Sequence, residues 1–289
     1  MEGTIDRDIL YFTDDSFSFY LILGEPTLLV DSGLLSRVDT LDGFLRRALG
    51  SPSRVDLLLL THSHYDHCGG IPYLLSQNPD MKVISSRRTA EIFSKPKAQE
   101  FISRLSHDGS EAISPWGDYS KLTVHRAVGE GESVQTSQGP LRILETPGHT
   151  RCSISFYLEE RGILFCGDSA GLVDRRGREK PLFFSSLQEY VSSLAKLRSL
   201  EIESLGLPHN LFFGGGSVSR YLDGAREAAC SVGENLFQRI RQGWSDERIL
   251  EEYLGREYPY ESAIDQAEST WKMNLLSLVA VARKELPSQ

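Results

Sequence analysis

Thr61-His62-Ser63-His64-Tyr65-Asp66-His67-Cys68-Gly69-Gly70 is the stretch on which the reading of this chain turns. It follows directly on Val55 to Leu60, a largely apolar run of the kind that marks a strand buried on both faces. Three histidines and an aspartate therefore lie within six residues at a strand end. His62 and His64 are two apart, so in an extended segment they face the same way and can share one metal ion. Gly69-Gly70 is expected to free the backbone for a turn, which leaves Asp66 and His67 to face a second ion. Without a metal, packing these polar side chains together carries a desolvation penalty.

Working outward, the same arrangement recurs. His149 stands in Glu145-Thr146-Pro147-Gly148-His149-Thr150, after an apolar run ending at Leu144. Asp168 stands in Phe165-Cys166-Gly167-Asp168, and His209 in Leu207-Pro208-His209-Asn210, each after a further apolar run. Ligands at the ends of several strands can converge on one sheet edge, and imidazole with carboxylate suits zinc, iron or manganese. His107 and His125 fit no ligand pattern and read as structural. Cys68 and Cys166 read as packing residues.

The first half reads as strands over residues 9–33, with a hairpin at Gly24-Glu25-Pro26, a helix over 38–49, the strand Val55 to Leu60, a helix from Gly70 to Ser76, a strand from Lys82 to Ser85, and helix from Thr89 to Leu105 interrupted at Pro96. The second half repeats the scheme. Apolar runs at 121–128, 141–145, 153–158 and 163–166 precede a helix at 187–200 and a short strand at 204–207. These features predict an α/β (α+β) sandwich of two mixed sheets with helices outside. Residues 214–289 differ: Val218 to Ile240 follow helical spacing, Ser245 is a good N-cap for a second helix, and a third runs from Ala263 to Leu286. We expect a catalytic domain over 1–213, a hinge at Gly214-Gly215-Gly216, and a helical region over 214–289 that covers the site.

A chain of 289 residues can bury a substantial core. Its net charge of −9 gives no overall pull on phosphate polymers, so nucleic acid is not expected as a substrate. Met1 to Ser16 is acidic and does not read as a secretory signal. No apolar stretch long enough to span a bilayer occurs. The four cysteines show no CxxC spacing and read as free thiols, which suits a cytoplasmic setting.

His62-Ser63-His64-Tyr65-Asp66-His67 matches the HxHxDH signature of the metallo-β-lactamase superfamily, and the later His149, Asp168 and His209 match its remaining ligand motifs in order. Val30-Asp31-Ser32-Gly33 looks like the family's early Asp-x-Gly turn beneath the site. The resemblance implies an αββα sandwich with His62, His64 and His149 on one metal, Asp66, His67 and His209 on the other, and Asp168 bridging. Paired metals lower the pKa of a shared water toward about 7. Asp66 would orient that nucleophile or accept its proton, so that no serine or cysteine nucleophile is needed. One departure is that Pro208 precedes His209, where the family often has glycine.

A fold of this kind does not settle the reaction. Flavodiiron reductases of the superfamily have glutamate where His64 stands, and many exported zinc β-lactamases have cysteine where Asp168 stands. The full ligand set with a helical tail is similar to thioesterases of the glyoxalase II type. The runs His64 to Gly69, Pro72-Tyr73-Leu74 and Leu164 to Asp168 look like the 2-aminobenzoylacetyl-CoA thioesterases of bacterial quinolone signalling, a family that holds two irons and also acts as a protein partner. The resemblance implies a hydrolase of an acyl-CoA or related small-molecule thioester with two divalent ions, zinc or iron, with manganese as a third option. A lactonase, a phosphodiesterase and a regulatory partner protein that keeps the metal site stay open as alternatives. Ser269, Thr270 and Trp271 are candidate substrate contacts from the tail, with Trp271 placed to stack on an aromatic acyl group; Trp271 as a core residue and Ser269 as a solvated helix position is the equally weighted alternative. The segment Lys95 to Trp116 is a candidate second wall, where Lys95, Lys97 and Arg104 either attract CoA phosphates or are simply solvated. Neither the oligomeric state nor the acyl group follows from the sequence.

Overall fold

The structure, a computed structural model, describes all residues except 15–16, 108–117, 175, 210–211, 258–267 and 288–289. Trp116 and the start of the expected third tail helix lie outside the described residues. The first sheet runs β1 (Glu2–Asp6), β2 (Ile9–Thr13), β3 (Ser18–Ile22), β4 (Leu28–Val30), β5 (Leu57–Leu59), β6 (Lys82–Ser86) and β7 (Arg126–Val128) in spatial order. β1 to β4 are antiparallel and β4 to β7 parallel. The second sheet contains β8 (Ser133–Thr136), β9 (Gly139–Glu145), β10 (Ile154–Leu158) and β11 (Ile163–Phe165). The small hairpin of β12 (Leu172–Val173) and β13 (Glu179–Lys180) follows, and then β14 (Ser204–Gly206) and β15 (Phe212–Gly214) return to the second sheet beside β11.

The period-two pattern of the strands explains the layering. In β3, Phe19 and Leu21 point to the outer helices α1 (Val38–Leu49) and α3 (Ile71–Gln77), whereas Tyr20 and Ile22 point between the sheets. In β10, Ile154, Phe156 and Leu158 meet them from the other side, and Tyr157 points to α6 (Leu187–Arg198). The result is the expected αββα sandwich. The interrupted helix resolves into α4 (Arg87–Phe93) and α5 (Pro96–Ser106), split where Pro96 begins the second. The apolar run at 121–128 is shorter as a strand than expected. Tyr119–Lys121 form a 3-10 turn, and pairing starts only at Arg126.

The tail contributes α7 (Ser217–Arg241), α8 (Asp246–Glu257) and α9 (Glu268–Glu285). Ser245 accepts from the Arg248 N–H, as an N-cap does. Val218, Tyr221, Leu222, Leu275 and Val279 share one buried cluster with Leu164, Tyr190 and Leu205, so α7 and α9 complete the outer layer of the second sheet. Gly214 ends β15 and Gly215 takes a left-handed φ of 56°, which turns the chain directly from strand to helix. No helix among the described residues is long and apolar enough to cross a membrane.

Candidate metal centre

Strand ends of both sheets supply the site. The segment after β5 carries His62 and His64, and the single helical turn α2 (Tyr65–Cys68) carries Asp66 and His67. The loop between β9 and β10 carries His149, the 3-10 turn after β11 carries Asp168, and the loop after β14 carries His209. One ligand-type atom from each of His62, His64, His149 and Asp168 falls within 4.8 Å of the others, and Asp66, His67 and His209 form a second such group. His64 and Asp66 are half-buried and the other five are buried.

The glycines work by close approach more than by backbone freedom. Gly69 and Gly70 form the expected turn between α2 and α3, but with right-handed helical angles that any residue can adopt. A Cβ on Gly70 would instead sit 2.5 Å from the Ser32 carbonyl oxygen, so α2 can lie against the Asp31–Gly33 turn only without side chains there. The Ser32 N–H and Oγ–H both donate to the His67 carbonyl, at 2.7 and 2.8 Å, and lock that contact. Around His209, the Pro208 carbonyl accepts from the Ser18 N–H and the Leu207 carbonyl from the Tyr20 hydroxyl, both at 2.6 Å. The proline thus leaves its own carbonyl to anchor the loop.

Hydrogen bonds on the outer side of the cluster set the imidazole tautomers. Asp31, buried and at φ 55°, accepts from the Thr61 N–H and Oγ–H, each at 2.8 Å, and from His67 Nδ1 at 2.8 Å. With its proton committed to Asp31, Thr61 Oγ1 is left to accept from His62 Nδ1 at 3.1 Å. His149 Nδ1 donates to the Leu182 carbonyl at 2.7 Å. His62 Nε2 and His149 Nε2 therefore turn lone pairs toward each other across 3.2 Å, and His64 Nδ1 lies 3.0 Å from His149 Nε2. On the second side, buried His67 Nε2 and Asp168 Oδ1 have no hydrogen-bond partner and stand 3.6 Å apart. Converging lone pairs and orphaned buried atoms are the arrangement that divalent cations satisfy, so the residues fit a metal.

The electrostatics divide the two groups. Burial holds the pKa of His62 and His149 below the ordinary imidazole range and pushes that of His64 down to about 3. Burial also opposes charge on His67 and His209. For His67 the carboxylates of Asp31, Asp168 and Asp66 outweigh it, and for His209 those of Asp168 and Asp66 do, so both pKa values are raised. Burial raises Asp168, but His209, His149 and His67 outweigh that and hold it well below the usual carboxylate range. Cys68 and Cys166 are buried in the cores and their thiols are pushed up by burial. Neither joins a ligand group, which agrees with a packing role.

Above the cluster lies a cavity of about 340 Å³, walled by α5, α9 and the 182–184 segment. Of the three tail residues singled out in the sequence, Thr270 lines it. Trp271 packs against the buried cluster beneath α7 and α9, and Ser269 is exposed outside the lining. Arg104 stacks over the Phe101 ring at 5.3 Å, and neither it nor Lys95 nor Lys97 lines the cavity. Phe101, Met273, Asn274 and Phe184 do line it and carry no signal in sequence beyond an apolar or amide residue on a helix or loop. His125 accepts the Val83 N–H at Nδ1, and His107 donates from Nδ1 to the Ser103 carbonyl, so both are structural as expected.

A family model of the metallo-β-lactamase superfamily matches residues 13–209, well over half of the chain. The chain belongs to the metallo-β-lactamase superfamily. It is 32% identical over 174 residues to a hydroxyacylglutathione hydrolase of Legionella pneumophila (strain Lens), a match covering 58% of this chain and 54% of that protein. A hydroxyacylglutathione hydrolase of Stenotrophomonas maltophilia (strain R551-3) is 31% identical over 203 residues, covering 70% of this chain and 66% of the relative. The chain thus spans about half the length of the first curated relatives it matches. Among solved structures, a metallo-β-lactamase family protein of Thermus thermophilus aligns with a TM-score of 0.64 at 22% identity, covering 93% of this chain and 89% of that one, a likeness of fold.

Proposed function

We propose that this superfamily member is a metal-dependent hydrolase of thioesters, with two divalent ions held by the seven clustered side chains. The observation that carries the reading is the set of inward-facing lone pairs and orphaned atoms at His62, His149, His67 and Asp168, which lies at the floor of an open cavity. His62, His64 and His149 would hold one ion and Asp66, His67 and His209 the other. Asp168 Oδ2 lies 3.2 Å from His149 Nε2 and Oδ1 lies 3.3 Å from His209 Nε2, so its carboxylate reaches both groups and suits a bridge. All seven are nitrogen or oxygen ligands, a set that accepts zinc or iron, and manganese less readily. Such ions supply Lewis-acid charge stabilisation and acidify water near neutral pH.

The protein's own groups shape the rest. Asp168 is 4% exposed, whereas Asp66 is 23% exposed on the cavity side. Asp66 is therefore the cluster carboxylate that can orient a nucleophilic water and pass its proton to solvent. The Leu182 carbonyl and Thr61 hold His149 and His62 in fixed orientations, so little reorganisation is needed during reaction. The thioester assignment draws on relatives named hydroxyacylglutathione hydrolases and on the sequence runs that resemble those of CoA thioesterases. The test is thiol release from acyl-CoA, aromatic β-ketoacyl-CoA and S-lactoylglutathione, with His64→Ala as control. Turnover abolished by the substitution is expected. Metal-loaded protein that cleaves a lactone or a phosphodiester but no thioester would overturn the assignment, and a metal-free variant that keeps a biological effect would favour a partner role.

A further inference from the structure

The space above the metal centre forks. Besides the first cavity, a second of about 380 Å³ opens on the other side of His64, His149 and Phe184, which line both. Phe184 stands 5.0 Å from the His149 ring and forms part of the partition. The two arms differ in chemistry. The first is walled by Phe101, Leu105, Leu172, Leu182 and Met273, and among the described residues its carboxylate and imidazole lining is that of the cluster, Asp66 and Asp168 with His64, His149 and His209. The second is lined by Arg151 and Lys284 and, among the described residues, by no carboxylate. Arg151 and Lys284 are exposed and have no ion-pair partner among the described residues. In a chain of net charge −9, two unpaired cations at one mouth of a candidate active site form a local exception.

The apolar arm has an exception of its own. Four large hydrophobic side chains among the described residues are conspicuously exposed: Met1, Phe101, Met273 and Leu276. Phe101 is 48% and Met273 41% exposed, and both line the first cavity from opposite helices, α5 and α9. Leu276 follows Met273 by one turn of α9. Apolar groups left in water around a cavity mark a surface that an apolar ligand covers.

We propose that the substrate is a thioester of an apolar acyl group several carbons long, carried on an anionic thiol, and that the fork divides it. The acyl group lies in the first arm between Phe101 and Met273, the thioester carbon at the junction by His64, His149 and Phe184, and the carrier's phosphate or carboxylate groups against Arg151 and Lys284. This rests on the hydrolase reading above and narrows it. An anionic carrier in the first arm would face Asp66, so the charges favour one orientation. Water adds to the acyl carbon, the C–S bond breaks, and the products are the carboxylic acid and the free thiol, which leaves over the cationic arm.

The experiment compares acetyl, hexanoyl and benzoyl thioesters on two carriers, coenzyme A and neutral N-acetylcysteamine. For the wild type, kcat/KM should rise about fourfold per added methylene that reaches the apolar arm, on both carriers. Phe101→Ala with Met273→Ala should flatten that chain-length preference on both carriers alike. Arg151→Glu with Lys284→Glu should raise KM for the coenzyme A thioesters about tenfold or more and leave the N-acetylcysteamine thioesters unchanged. The wild-type advantage of the anionic carrier should fade as salt shortens the screening length. All four positions are half-buried or exposed, and a thermal melt confirms that the variants are folded. Equal effects of charge reversal on both carriers, or no chain-length preference in the wild type, would overturn the proposal while leaving the thioesterase reading in place. If the wild type cleaves no thioester yet binds hexanoyl-CoA in a manner lost on charge reversal, the thioesterase reading fails and the divided site stands. Loss of both turnover and binding sinks the two together.

Discussion

Asp31→Asn changes one atom and is expected to disturb both of the proposed metal positions. Oδ1 accepts the Thr61 N–H, and the amide oxygen of asparagine can keep that bond. Oδ2 accepts from His67 Nδ1 and from the Thr61 hydroxyl, and the new NH₂ group can only donate there. His67 must then accept at Nδ1, which moves its proton to Nε2, the atom that faces the cluster. The Thr61 hydroxyl, now receiving from the amide, turns its own proton to His62 Nδ1, and that histidine too is left with a proton on the inward Nε2. Each flipped ring must be returned to its less favourable tautomer before it can bind. Loss of such outer hydrogen bonds typically lowers metal affinity about 10–100-fold, so about 1.4–2.8 kcal/mol is expected at each position. The metal-free fold should change little, because asparagine tolerates the left-handed φ of 55°. Asp31→Ala, by contrast, orphans the buried Thr61 N–H at roughly 1–3 kcal/mol and should lower both stability and affinity. Competition with a chelator of known affinity, beside a denaturant melt of the stripped protein, separates the two effects. Wild-type metal affinity in Asp31→Asn would refute the tautomer argument.

Metal uptake near pH 7 should release protons, and from the raised His67 and His209 rather than the depressed His62, His64 and His149. Calorimetric titration in buffers of different ionisation enthalpy reads the number, and zero release would contradict the charge division. The same shifts act on metal-free stability with opposite signs: the depressed histidines lose stability as pH falls below about 6.5, and the raised pair lose it as pH rises above that value. A stability maximum near about 6.5 in the presence of chelator is therefore expected, and a flat profile would count against it. Gly148→Ala should destabilise by roughly 2–5 kcal/mol, since φ is +127° and the new Cβ would fall 2.3 Å from Tyr190 backbone atoms. A denaturation midpoint unchanged from wild type would show that α6 can back away. Glu285→Ala removes the carboxylate that accepts from the Leu187 and Gln188 N–H groups at the start of α6, at about 0.5–1 kcal/mol. Faster hydrogen exchange at the Leu187 and Gln188 amides and at the end of α9 is the expected readout.

Much of the site is written in local sequence because a metal demands specific donors at strand ends. His62-x-His64-x-Asp66-His67, His149, Asp168 and His209 are rare residue types in repeated context, and the structure brings all seven together. The sandwich was legible for a similar reason: alternation along β3 and β10 assigns each side chain a layer before any partner is known. Other features depend on contacts distant in sequence. Gly69 and Gly70 looked like a flexible turn, but their role comes from Ser32 and Leu35 pressing against them. Trp271 could be read from the sequence as a substrate contact or as core, and only its packing against the cluster under α7 and α9 decides for the core. Phe101 and Met273 meet across a cavity though they lie 172 positions apart, so no window of sequence could pair them.

That contrast bears on how specificity is built into this chain. The ligands sit on strand ends held by both sheets, and substitution there disturbs tautomers and buried charge together. The cavity walls proposed to choose the substrate come from α5 and α9, which lie outside that lattice of hydrogen bonds. Among the described residues the polar links from α9 to other elements include Glu285 to the start of α6, and Arg283 to Asp246 and the Trp244 carbonyl. Its buried side chains Leu275, Val279 and Ala282 fix one face, while Met273 and Leu276 on the other remain exposed. A change at those exposed positions alters what the cavity accepts without unpacking the core, because surface substitutions away from buried features usually shift stability by less than about 0.5 kcal/mol. The acyl preference should therefore be separable from the metal chemistry. Met273→Ala is expected to alter chain-length selectivity with metal affinity and melting temperature at wild-type values, and a matching loss of metal would mean that the helix, not its side chain, supports the centre.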